Sequence, residues 1–325
     1  MKRSIISLAI VLTLAFLGGR SVAAEPAGAP PKLGNDQNAR WVMVYKVDKQ
    51  KTVWRPEKMD SLVAAISKRV NPGGLKDIVV KSLGDDMVQI IMPSVTGSTA
   101  QEKAAKGEGI RKIIRASGAL EFRIVATKRD NESLIDRAKE YRKKFPAIPK
   151  EPVRVLDAKT GKELAKWCRV RDQEVDKLKS DDAAMMVGKV KDKDVWDVLV
   201  LFPESDAYDV TGADLRDARA DADQATGLPS VVFSFNSQGA KKFGHLTGEH
   251  VPIGDFRYKL AIVLDNELQT APNLISKITD SGRITGNFTA QEVKQIVAVI
   301  NAGALPAALE PTPIRDMIIE GPASK

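Results

Sequence analysis

The chain has 325 residues, 43% hydrophobic and 28% charged, which excludes both a long disordered chain and a polytopic membrane protein. Lys and Arg number 50 against 42 Asp and Glu, but the signs are interleaved, as at 172–182, whereas nucleic-acid binders gather basic residues on one face; no nucleic-acid partner is expected. One Cys rules out an intrachain disulfide, and with two His it leaves little material for a His/Cys zinc site.

Lys2 and Arg3 precede an apolar run at 5–17, and small residues follow up to Ala24. Val22 and Ala24 suit the small pockets of a signal peptidase. Residues 1–24 are therefore expected to be a Sec-type signal peptide or, uncleaved, an N-terminal anchor. The run is shorter than the roughly 20 apolar residues that span a bilayer. Pro26, Gly28, Pro30, Pro31 and Gly34 mark 25–40 as a flexible linker.

Residues 41–47 read as a strand. Pro56 opens a helix whose Met59, Leu62, Val63, Ile66 and Val70 share one face, and Asn71-Pro-Gly-Gly74 stops it. Strands at 78–81 and 87–92 flank the turn Gly84-Asp85-Asp86. A helix at 100–117 carries Ile110, Ile113 and Ile114, and 120–125 is a further strand. The order β-α-β-β-α-β over 41–126 predicts a split βαβ lobe. Residues 127–208 are more polar and less periodic, with a charged helix at 131–144 and short strands at 153–156 and 194–202. They read as an insertion or connecting region.

The plan repeats over 209–314. A strand at 231–235 leads into a helix capped by Asn236 or Ser237. Strands at 259–265 and 268–274 flank Asp265-Asn266, and a further one runs through Ile284. Thr289-Ala-Gln-Glu292 is a capping box opening a helix with Val293, Ile296, Val297 and Ile300 on one face. Residues 315–325 read as a tail. The expected fold is α+β: two ferredoxin-like βαββαβ lobes with a polar middle insertion.

Chemistry-bearing residues are sparse. His245 and His250 lie about 140° apart on a helix, so they suit surface positions better than a metal pair. Cys168 has no local base and reads as a free, semi-buried thiol, with an interchain disulfide as the other option. Asp221 and Asp223, with Gly227, loosely match a calcium loop but lack its distal Glu. Arg216 and Arg219 interleave with Asp209, Asp214 and Asp217, which reads as a charged helix face. No phosphate-binding glycine motif or nucleophile elbow occurs. No enzyme, cofactor or metal is expected.

Several segments carry a family resemblance: Val210-Thr-Gly-Ala-Asp-Leu-Arg-Asp-Ala218, Val232-Phe-Ser-Phe-Asn-Ser-Gln-Gly-Ala240, Leu260-Ala-Ile-Val-Leu-Asp265, Ala271-Pro272, Ile284-Thr-Gly-Asn-Phe-Thr-Ala290 and Ala302-Gly-Ala-Leu-Pro306. In this ordered set the last third resembles the periplasmic region of SecD, of the SecD–SecF export family. Lys68-Arg-Val-Asn-Pro-Gly-Gly74, Gly84-Asp85 and Gly118-Ala-Leu-Glu-Phe-Arg-Ile-Val-Ala126 extend the likeness to the first lobe. The resemblance implies a periplasmic domain with a base and a head that engages polypeptide leaving the translocon. It implies exported, unfolded polypeptide and SecF-like or SecYEG-like membrane components as partners. Three departures stand out: a longer link at 251–258, a middle region without counterpart, and an end near where the family's second membrane helix approaches. The expectation is a periplasmic module that does not couple proton flow by itself.

An apolar groove between lobes or an open sheet edge would be the physical means of contact. Ile253, Phe256 and Tyr258 in the link, and Met185 and Met186 in the middle region, are the candidate binding residues; methionine suits promiscuous contacts. The competing readings are an envelope scaffold and a calcium-dependent or hydrolytic envelope protein.

Overall fold

Trp41, Met43 and Tyr45 alternate with Val42 and Val44 along β1 (Arg40–Lys46), so one face of the strand can meet helices. The computed structural model describes residues 39–74, 77–97, 99–144, 152–179, 182–190 and 192–319. The expected signal peptide, and all of the linker but its last two residues, lie outside these. β1 pairs antiparallel with β3 (Met87–Pro93), which pairs with β2 (Val79–Ser82). Trp41, Met43 and Tyr45 join Val88 and Ile90 in a core covered by α1 (Met59–Val70) and α2 (Ala100–Arg115), through Leu62, Ile66 and Ile114.

The fourth strand of this sheet is not 120–125. It is β15 (Arg315–Ile319), from the stretch expected to be a tail, with Trp41 opposite Ile318 and Val44 opposite Arg315. The reason is burial. β4 (Leu120–Val125) is covered on both faces, whereas β15 is alternately exposed and half-buried. A strand apolar on both sides belongs at the centre of a packed layer, and β15 suits an edge. Asp316 fastens that edge by accepting from Trp41 Nε1 at 2.6 Å and Arg111 Nε at 2.9 Å.

β4 pairs instead with β12 (Leu260–Leu264), and β12 with β13 (Glu267–Thr270). β13 runs parallel to β6 (Glu163–Val170), β6 pairs with β8 (Lys193–Leu201), and β8 returns to β4. The five strands close a ring. β5 (Arg154–Leu156) and β7 (Met185–Val190) extend it beside β6 and β8, and β9 (Val210–Thr211) beside β4. Val125, Cys168, Val198, Val200, Ala261 and Val263 share one buried cluster, the small-to-medium side chains a narrow ring admits. Val175 and Leu178 of α4 (Asp172–Lys179) join it.

The hairpin expected within the second lobe therefore belongs to the ring, beside β6 and β8 from the middle region. What remains of the second lobe is β11 (Pro229–Phe235) between β10 (Leu215–Ala222) and β14 (Ser281–Ile284), with α5 (Ser237–Gly248) and α6 (Ala290–Ala302). These pack on the other face of β4 and β12: Leu120, Phe122, Ile124, Leu260 and Ile262 join Phe233, Phe243 and Ile296 in one core. Asn236 and the Thr289–Glu292 box cap α5 and α6 as expected. The acidic stretch expected as a helix face contains β10, because pairing with β11 overrides local preference. α3 (Lys128–Lys143) packs Ile135 and Ala138 against Trp167 and Leu199.

Candidate binding grooves

The chain leaves the four-stranded layer through residues 116–119 and returns through 303–314. One buried side chain holds both passages. Arg69, on the last turn of α1, is 1% exposed and donates to the carbonyls of Ala116 and Ser117 on the outward passage and of Gly303 on the return. Burial pulls its pKa down to about 10. Gly118 has φ +75°, and a Cβ there would run into the Arg69 guanidinium. Leu305 N donates to Ser117 O at 2.7 Å, and Asp265 accepts from Ala119 N at 2.9 Å.

Beside this knot lies a groove of about 770 Å³ between the helical layer and α6. Val70, Ile78, Met92, Val95, Ile110 and Val297 supply its apolar lining. Lys106, Lys294, Gln291 and Gln295 also line it, and neither lysine has a carboxylate partner among the described residues. Two buried polar atoms of lining residues, Arg69 Nε and Ser94 Oγ, have no hydrogen-bond partner among the described residues, and each carries a desolvation cost.

A second recess, of about 850 Å³, opens between the ring, the start of α3 and the end of α5. Phe122, Ile124, Leu164, Leu201, Phe202 and Leu246 are among its lining residues. Arg123 reaches it from β4, but its charge is met: it pairs with Glu121 at 2.7 Å and with Asp209. Lys166 also pairs with Glu121, and both cations face the Phe202 ring. Both histidines border the recess. His245 stacks on Tyr208 at 3.6 Å between ring centroids, and His250 Nδ1 lies 2.7 Å from Leu246 O.

The residues expected to bind occupy other places. Tyr258 donates its hydroxyl to Asp130 at 2.6 Å, and Phe256 lies under the Arg129 guanidinium at 4.6 Å. Both anchor the 251–258 link to the start of α3. Ile253 is 49% exposed, in a tight turn bridged to Phe256. Met185 and Met186 are half-buried on opposite faces of β7 and pack into different clusters. None of the five lines either large recess. The actual lining residues come from distant segments and carry no local signature of function.

Other expectations find plain explanations. Cys168 is fully rather than partly buried, and burial raises its thiol to about 12, which removes the interchain disulfide from the native state. Asp221 is held low by Arg283, and Asp223 by the Thr226 hydroxyl and amide. No cluster of metal-ligating side chains occurs among the described residues, and no helix there is long and apolar enough to cross a membrane.

The architecture is a strand ring joined to a helix-covered sheet. A SecDF crystal structure in a super-membrane-facing form shares this fold, with a TM-score of 0.51 at 24% identity, covering 88% of this chain and 31% of that one. A second SecDF structure, described as a membrane component that enhances protein export, has a TM-score of 0.50 at 22% identity, covering 84% of this chain and 98% of that one. The SecDF P1 head subdomain family matches residues 200–307. The protein translocase subunit SecD of Elusimicrobium minutum is 46% identical over 101 residues, 31% of this chain and 20% of that protein. Over 200–307 the chain is thus similar to the head subdomain of the SecDF P1 region, and its wider fold is similar to that of SecDF. Its match spans about a fifth of the length of such curated relatives.

Proposed function

We propose that the chain works on the extracytoplasmic side of a membrane in Sec-dependent protein export, as a non-catalytic module. It holds apolar stretches of extended, exported polypeptide in the groove between the helical layer and α6. The observation that carries this reading is the groove itself, with its apolar lining beside Lys106, Lys294, Gln291 and Gln295, whose polar ends can meet a peptide main chain. Translocon membrane components are the second class of partner. Introducing a charge with Val297→Asp or Ile110→Asp should weaken binding of an unfolded envelope protein to the purified chain at least tenfold while the circular dichroism stays native. Unchanged binding in both variants would defeat the groove reading.

One surface favours the scaffold alternative. Met317, Val42, Ile91 and Val79 form a row across all four strands of the first sheet, in which Met317 and Val79 on the two edge strands are 43% and 48% exposed while Val42 between them is buried. A photocrosslinker at Val79 that captures one stable partner in cells, rather than many nascent clients, would support it.

A further inference from the structure

The groove and the recess have similar volumes and opposite mouths. Around the recess stand Asp130, Glu132, Glu204 and Glu249. Asp130 accepts the Tyr258 hydroxyl and lies 3.6 Å from Arg129. The carboxylates of Glu132, Glu204 and Glu249 make no ion pair among the described residues. On the positive side, Arg123 is already matched by Glu121 and Asp209, Lys162 donates to the main-chain carbonyl of Glu204, and Arg137, a lining residue exposed like the three glutamates, sets one cation against them. The mouth is therefore acidic, and the low-dielectric walls of a cleft strengthen such a field. Beneath it lie Phe122, Leu201, Phe202 and Leu246, with Tyr208 41% exposed at the side. An exposed aromatic ring beside carboxylates attracts ammonium and guanidinium groups.

We propose that this recess is a second polypeptide site, selective for segments in which Lys or Arg adjoins an apolar run. The apolar residues lie on the aromatic and leucine floor, and the cations meet Glu132, Glu204 and Glu249. An acidic segment is repelled here. The inference does not depend on the groove reading, since the two recesses share no lining residue.

The test uses the full chain and two labelled peptides with the same apolar centre, one flanked by lysines and the other by glutamates. By fluorescence anisotropy at low salt, the lysine peptide should bind at least tenfold tighter. That margin should shrink at 1 M salt, where the screening length is about 3 Å. Glu132→Gln/Glu204→Gln/Glu249→Gln, three substitutions at exposed positions, should abolish the preference, and Val297→Asp should leave it intact. Equal affinities, no binding of the lysine peptide, or a preference that survives the triple substitution would each overturn the proposal. Loss of the preference in Val297→Asp would overturn it as well, by placing the lysine peptide in the groove.

Discussion

The two recesses differ less in their floors than in what supports them. The groove rests on a single cation, Arg69, whose donors hold main-chain carbonyls where the chain passes between its layers. The recess rests on tilted and edge-to-face rings: Phe122 lies 5.2 Å from Phe233, 5.3 Å from Phe235 and 5.4 Å from Phe243. The lesson is that an apolar floor can be built from directional hydrogen bonds or from non-directional packing, and each fails differently under substitution.

That contrast can be broken most sharply at Phe122. Truncation to alanine removes the ring shared by three neighbours and should cost about 3–5 kcal/mol of stability, read from urea unfolding. A loss below 1 kcal/mol would mean that the cluster repacks, and that the recess does not depend on it. Arg69→Met comes next. It removes the Arg69 donor from the carbonyls of Ile113, Ala116 and Gly303, and from that of Ser117, which keeps Leu305 N, at a cost of about 3 kcal/mol. It should speed amide exchange near Leu305 and weaken groove binding while sparing the lysine-peptide preference. Equal damage to both sites would show that the two recesses are not independently supported.

The smallest effect concerns the ring interior. Burial raises the Cys168 thiol from 9.0 to about 12, so the folded chain keeps a proton that the unfolded chain loses. The associated stability is fully present below pH 9 and disappears as pH rises toward 12. Tyr45, raised to about 12 by burial, acts in the same direction. The urea midpoint should therefore fall between pH 8 and pH 10.5, and less steeply in Cys168→Ala. Thiol reagents at pH 8 should modify Cys168 only on unfolding; rapid labelling of the native chain would mean that the ring opens readily.

Much of the local structure was legible in the residues. The apolar spacing from Met59 to Val70, the Asn236 cap and the Thr289–Glu292 box appear where expected, because each depends on neighbours within about four positions. β6 and α4 are hard to read in the sequence because their charges disguise them: Lys166 and Glu174 look like surface residues but are 2% and 3% exposed, matched by Glu121 and by Lys177. The candidate site was legible only as an idea, an apolar groove between lobes. Phe256 and Tyr258 drew attention as apolar residues in a loop, yet their rings have neighbours that the loop sequence cannot reveal.

From the residues alone came the helices, most of the strands, their caps and the kinship of the last third, all encoded in short-range periodicity and ordered motifs. Tertiary structure decided which strands meet: β1 takes a partner from the far end of the chain, and β4 takes one from 260–264 rather than closing its own lobe. The physical reason is that a strand shows its two faces in its own residues, while its partner is chosen by what can cover both faces at once. That choice also set the places and signs of the two recesses.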